Sequence, residues 1–182
     1  MNGILKLRPS RPEDEPFLRQ LRMEVNAERL CMNQWLGGDD GMKEKVLEHQ
    51  FRALSTHQNI LRKNWETKDN VLELDGVPIG FFMVTGNDEE IRLSEVAVLV
   101  PYRGMGLGKM VIETTKAECV KSGRVMRLCV RRDNLPAVQL YIQQGFYVIE
   151  QQPMHAVMEW NPKGPTQGKL YFHGKKTGGK FQ

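Results

Sequence analysis

The five-residue apolar run Val96 to Val100 leads through Pro101, Tyr102 and Arg103 into three glycines at alternate positions, Gly104, Gly106 and Gly108. An amphipathic stretch follows at once and ends near Ser122. Few arrangements satisfy a strand that stops against glycines and restarts as a helix. Glycines let main-chain N–H groups come close to a ligand, and the first helical turn adds unpaired donors and the positive end of its dipole. Taken from the residues alone, the segment is either an anion-binding loop or a glycine-rich turn packed between strand and helix. The same apolar run is the longest in the chain, far short of the roughly 18 to 20 residues a membrane-spanning helix needs. No transmembrane helix is expected.

Around this segment the pattern alternates between short strand-like and longer helix-like stretches, which predicts an α/β or α+β architecture. Ile4, Leu5 and Leu7 read as a first strand. Ser10-Arg-Pro-Glu-Asp carries a cap-and-proline signal for a helix towards Val25. Gly37-Gly38-Asp39-Asp40-Gly41 breaks the pattern, and Val46, Leu47, Phe51 and Leu54 space a second amphipathic helix from Met42 towards Trp65. From Val71 to Val84, two strand-like runs meet at Asp75-Gly76, the dipeptide preferred by a type I′ hairpin. Ile91 to Val100 then reads as a strand buried on both faces. A helix over 106–122, a strand over 125–130, a helix over 135–144 stopped by Gly145, and strands over 147–151 and 155–160 complete the body.

The chain has 182 residues. A body near 150 residues hides about 68 to 70% of its unfolded surface, enough for one core without disulfides. Residues 1–160 are read as one domain and 161–182 as a basic Gly/Lys-rich tail. The net charge of +4 comes from that tail, which holds five lysines and no acid; without it 21 basic residues face 22 acidic ones. No recognition helix or basic folded face is apparent, so no nucleic-acid partner is expected. Three widely spaced cysteines, Cys31, Cys119 and Cys129, form no C-x-x-C pair, and the four histidines lack zinc-ligand spacing. No metal site is expected, and Cys119 and Cys129 are read as small core residues. The charged, proline-broken N-terminus lacks an apolar signal region, so a cytoplasmic protein with no membrane partner is expected.

Two nucleotide-binding patterns can be set aside. A Walker A loop needs G-x-x-x-x-G-K-[ST], but the spacing Gly104 to Gly108 is one residue too short and Met110 follows Lys109. A dinucleotide G-x-G-x-x-G fails because the third position is Lys109 or Val111. What remains, Arg103-x-x-Gly106-x-Gly108, resembles the acyl-CoA pyrophosphate loop of the GNAT superfamily of N-acetyltransferases, [QR]-x-x-G-x-[GA]. About 30 residues on, Asn134-Leu-Pro-Ala137-Val-Gln-Leu-Tyr141-Ile-Gln-Gln-Gly145-Phe146 resembles that superfamily's second signature, N-x-x-A-x-x-x-Y-x-x-x-G-F. The resemblance runs from about Ile4 to Trp160 and is firmest over Ile91 to Phe146. It implies a mixed, mostly antiparallel sheet of about seven strands flanked by about four helices, with the fourth and fifth strands splayed around acyl-CoA.

Carried over position by position, the resemblance implies the following site. Main-chain groups of Gly104, Met105, Gly106, Leu107, Gly108 and Lys109 would bind the pyrophosphate, with Arg103 adding charge. The backbone of Ala97, Val98 and Val100 would pair with the pantetheine arm. Asn134 and Ala137 would border the cofactor, although Asn134 also reads as a plain helix cap and Tyr141 as a core aromatic. Glu95 would serve as general base, or else be an ordinary solvent-facing carboxylate. Tyr141 would protonate the departing thiolate. The implied activity is transfer of acetyl from acetyl-CoA to a primary amine of a small molecule by direct ternary-complex attack, since no cysteine lies at a motif position. A protein or peptide acceptor, or a non-catalytic acyl-CoA-binding module, stays open. The acceptor pocket would draw on residues 22–36, 49–58 and 155–158, with His155, His57 and Trp65 open to acceptor or structural roles. The chain would be a monomer or a homodimer.

Overall fold

The computed structural model describes residues 3–29 and 40–165. The break at Gly37 to Asp39, Cys31 and the tail from Thr166 onward lie outside these residues. Among those described, one seven-stranded sheet carries four helices. The strands are β1 (Leu5–Pro9), β2 (Glu66–Leu74), β3 (Val77–Gly86), β4 (Glu90–Val98), β5 (Val125–Arg131), β6 (Tyr147–Gln151) and β7 (His155–Trp160). The helices are α1 (Glu15–Arg29), α2 (Asp40–Asn64), α3 (Leu107–Ser122) and α4 (Leu135–Gln143). Sheet order is β1-β2-β3-β4-β5-β7-β6, antiparallel throughout except for the β4–β5 pair. This is the mixed sheet and parallel crossover expected from the sequence. No described helix is long and apolar enough to cross a membrane.

Local chemistry explains the elements that match expectation. Asp75 and Gly76 both take positive φ, 52° and 81°, as the two-residue hairpin between β2 and β3 requires. Asn134 caps α4 by accepting a hydrogen bond from Ala137 N (3.4 Å). At its other end Gly145, with φ 77°, turns the chain into β6.

Other boundaries differ, each for a physical reason. β4 ends at Val98, and Val100 to Tyr102 form a 3-10 turn in which Val100 is exposed, so the apolar run is not one strand buried on both faces. Its far half has no neighbour on the β5 side. The first helix opens at Glu15 behind a 3-10 turn at Pro12–Asp14. There Arg11 stands at the cap position and Asp14 accepts a hydrogen bond from Arg11 N (2.7 Å). Asp40 and Gly41 belong to α2 rather than to a break. β2 begins at Glu66, five residues before Val71, in a polar stretch whose strand character comes from pairing with β3.

Two cores lie on opposite sides of the sheet. Ile91, Leu93, Met126, Leu128 and Met158 join Val111 and Ile112 of α3 on one face. Val71, Phe81, Met83 and Ala97 meet Leu18 and Leu21 of α1 on the other. On β5 the buried Met126, Leu128 and Val130 alternate with Arg127, Cys129 and Arg131. Cys129 is therefore exposed, correcting its reading as a core residue; Cys119 is buried, which pushes its thiol up to about 11.

Lys116 of α3 fastens the end of α4. Its Nζ donates to Gln144 O and sits 4.8 Å from the Trp160 ring and 5.5 Å from that of Phe146. Lys116→Met keeps the aliphatic stem but removes this contact, and urea unfolding should show a loss of about 1 to 2 kcal/mol.

Candidate active site

The functional geometry starts where two strands part. β4 and β5 pair only from Glu90–Val125 to Leu93–Leu128, yet β4 continues to Val98 and β5 to Arg131. Just past the last pair the β4 register shifts: Val84 faces Leu93 and Met83 faces Glu95, so Ser94 is skipped in the β3 register. A bulge of this kind bends its strand and increases its twist. It lies where β4–β5 pairing stops, at the start of the split between the two strands. Ser94 is anchored within the bulge by a 2.9 Å hydrogen bond between its hydroxyl and that of Thr85.

The split has a polar main-chain wall. Leu99 N donates to Ile79 O of β3 (3.0 Å). Because main-chain groups alternate sides along a strand, Val98 and Val96 turn theirs towards the split and Ala97 turns its own towards β3. Arg103 Nε already uses Val98 O (3.0 Å), while its Nη1 holds Glu28 of α1 at 2.7 Å. That guanidinium keeps the Glu28 carboxyl below its usual range.

Beyond the split the chain forms the glycine loop. Gly104 and Gly106 take φ of 77° and 80°, a left-handed conformation that side chains with a Cβ adopt only at a cost, and a Cβ on either would meet no protein atom within 4 Å. The space in front of the loop is open. The first bond into α3 is Met110 N to Gly106 O (3.0 Å), so the N–H groups of Leu107, Gly108 and Lys109 precede the helical ladder and face outward as a donor set. Gly108 has a packing reason as well: its Cβ would lie 3.0 Å from Leu140 Cδ2, where α3 crosses α4.

A cleft of about 660 Å³ is lined by Val96, Ala97, Val98, Arg103, Asn134 and Ala137 among others. The structure thus gathers residues from both sequence signatures around one space. Val100 stands apart in its 3-10 turn. Left-handed glycines with open space beside them, followed by the N–H groups that precede a helical ladder, form a main-chain arrangement able to accept an anion.

The two titratable residues singled out from the sequence, Glu95 and Tyr141, are not among the residues that line this cleft. Glu95, on the α1 side of β4, has 15% of its side chain exposed and meets Arg22 of α1 and Gln58 of α2. Burial pushes its pKa up, against the pull of Arg22. Tyr141, on α4, packs edge-on against Phe146 with ring centres 5.7 Å apart. Burial raises its phenol, so it stays protonated at neutral pH. His155 is half-buried on β7. Among the described residues, no group of three His, Cys, Asp or Glu is placed to hold a metal ion. Arg22, Gln58 and Glu28 were not singled out individually from the sequence, because each meets β4 or Arg103 through tertiary contact rather than through a motif; Val96 stands in the apolar run but only the strand alternation shows which way its main chain turns.

Comparison with known proteins agrees with this geometry. The model of the acetyltransferase (GNAT) family matches residues 38–146. No curated protein matches the sequence. Among solved structures, the PaiA N-acetyltransferase from Thermoplasma acidophilum in complex with coenzyme A is similar over 87% of this chain and 99% of that one, at 19% identity and a TM-score of 0.69. An acetyltransferase from Thermus thermophilus aligns over 86% of this chain and 96% of its own, at 23% identity and a TM-score of 0.62. The ribosomal-protein-S18-alanine N-acetyltransferase from Escherichia coli aligns over 93% and 100%, at 17% identity and a TM-score of 0.59. At these identities the likeness is one of fold.

Proposed function

The chain belongs to the GNAT acetyltransferase family, and on that premise we propose that it transfers an acetyl group from acetyl-CoA to a primary amine of a small molecule by direct attack. The observation that carries the reading is the end of β4–β5 pairing at Leu93 and Leu128, which opens a split leading to the glycine loop. Acetyl-CoA supplies the activated thioester when bound. Gly104 to Lys109 present main-chain donors to its diphosphate, with the Arg103 charge alongside. One helix-end contribution is worth about 0.3 to 1 kcal/mol at an exposed site, so several donors act together. Val96 and Val98 offer strand-like pairing to the arm; Ala97, whose main chain serves β3, contributes its small side chain to the wall, and Val100 lies at the outer end. Asn134 and Ala137 form the facing wall. A coenzyme A complex of a protein with the same fold supports the assignment.

Glu95 takes the proton that the acceptor nitrogen sheds as its lone pair forms the new C–N bond. Its carboxylate is recessed between α1 and α2, which suits a slender primary amine. As the C–S bond breaks, Tyr141 gives its Oη proton to the departing thiolate. Tyr141→Phe should therefore slow turnover by about 10²-fold with the acetyl-CoA dissociation constant unchanged; unaltered turnover would remove Tyr141 from the reaction. The wider test is a thiol-release assay with acetyl-CoA against small amines and peptides bearing free N-termini. Release that depends on a small amine supports this reading, release only with peptides moves the acceptor to the peptide class, and binding without release leaves an acyl-CoA-binding module.

A further inference from the structure

Glu95 is gripped from two helices at once. Arg22 of α1 aims Nε at Oε1 (3.4 Å) and Nη2 at Oε2 (3.5 Å), and Gln58 of α2 donates Nε2 to Oε2. Arg22 and Gln58 are among the most enclosed polar residues described, 5% and 2% exposed. Arg22 is itself seated, with its guanidinium carbon 4.8 Å from the centre of the Phe81 ring. Its planar fork can therefore address both carboxylate oxygens from one fixed position. A buried ion pair adds little net stability compared with apolar residues of the same volume, so stability alone gives a weak reason for this trio. Its location beside the bulge gives a stronger one.

We propose that Arg22 and Gln58 are positioning residues that hold the Glu95 carboxylate in one orientation beside the split, where it meets the acceptor nitrogen. The proposal rests on the reading of Glu95 as the base. It implies that α1 and α2 tune the chemistry as well as cover the sheet.

Among the described residues, the groups that act on Glu95 come from three neighbouring elements as well as from β3. α1 contributes Arg22, α2 contributes Gln58, and β3 presents the apolar Phe81 and Met83. β2 adds the carboxylate of Asp69, in register with Met83, which is in turn in register with Glu95. Arg22 and Gln58 lower the Glu95 pKa, whereas Asp69 raises it. Removing either donor should move its titration to higher pH, and removing Asp69 should move it to lower pH.

The test uses the full chain with ¹³C-labelled glutamate side chains, the Glu95 resonance being identified by its loss in Glu95→Gln. Arg22→Met, which keeps an apolar stem over Phe81, should raise the Glu95 titration by about 1 to 3 pH units. Gln58→Met should raise it less, Arg22→Lys should restore most of the wild-type value, and Asp69→Asn should lower it. With an amine identified by thiol release, Gln58→Met should reduce kcat by about tenfold and leave the acetyl-CoA KM unchanged. Folded variants whose Glu95 titrates as in wild type, with only Tm lowered, would overturn the proposal. If Arg22→Met fails to fold, the neutral Gln58→Met exchange decides. Failure of the base assignment has a different signature: the titration shifts as expected, but Glu95→Gln retains full acceptor-dependent CoA release.

Discussion

Glu95→Gln should lower acceptor-dependent CoA release by about 10²- to 10⁴-fold, the usual contribution of a positioned general base, while acetyl-CoA binds with about its wild-type affinity. The separation of effects follows from the layout. Glu95 lies on the α1 side of β4, held by Arg22 and Gln58, whereas the donors proposed for the diphosphate start α3 beyond the end of that strand. The substitution also leaves Arg22 buried without its anion, which should cost about 3 to 5 kcal/mol of stability. Turnover is therefore compared well below the unfolding transition. The pH profile supplies a second readout. Activity requires the ionised carboxylate, so kcat/KM falls as pH drops through the Glu95 pKa. Burial places that limb above the ordinary carboxylate value of 4.5. In Glu95→Gln the limb should vanish; a residual limb at the same pH would assign it to another group.

Gly106→Val should weaken acetyl-CoA binding by about 10- to 100-fold, or about 1.4 to 2.8 kcal/mol, with the sheet intact. At φ 80° a residue with a Cβ pays about 1 to 2 kcal/mol in backbone strain, and β-branching adds to this. No protein atom lies within 4 Å of the new Cβ, so nothing in the fold clashes. The side chain instead enters the open space beside the first turn of α3. Gly108→Ala is the internal comparison. Its Cβ meets Leu140 Cδ2 at 3.0 Å, a contact with the end of a flexible side chain, so its effect on affinity should be smaller. Wild-type affinity in Gly106→Val, measured by calorimetry, would contradict the loop assignment.

Where structure is dictated locally, the sequence was enough to read it. Asp75-Gly76 marks the hairpin turn, Gly145 ends α4, and the last two strands run over the residues expected, 147–151 and 155–160. The loop was legible for the same reason, since its glycines serve the backbone at their own positions. Pairing is different. The β3 register skips Ser94 where the split starts, and nothing in Arg92-Leu-Ser-Glu95 announces that. The apolar character of Val96 to Val100 suggested burial on both faces because it could not show that β5 would be absent beside it. Cys129 was misplaced because strand alternation fixes which side it faces only once Leu128 and Met126 are known to meet α3. Arg22 and Gln58 lie 73 and 37 residues from Glu95 in sequence. Their roles arise only when both helices fold onto one face of the sheet.

The most direct measurement is a titration of the ¹⁵N-labelled full chain with coenzyme A, followed through backbone amide resonances. Saturable binding is expected, with the largest changes at Gly106, Leu107, Gly108 and Lys109 and further changes at Val96 and Val98. Absence of association, or association that leaves those amides unmoved, would contradict the assignment of the α3 N-terminus and the adjoining split as the acyl-CoA site.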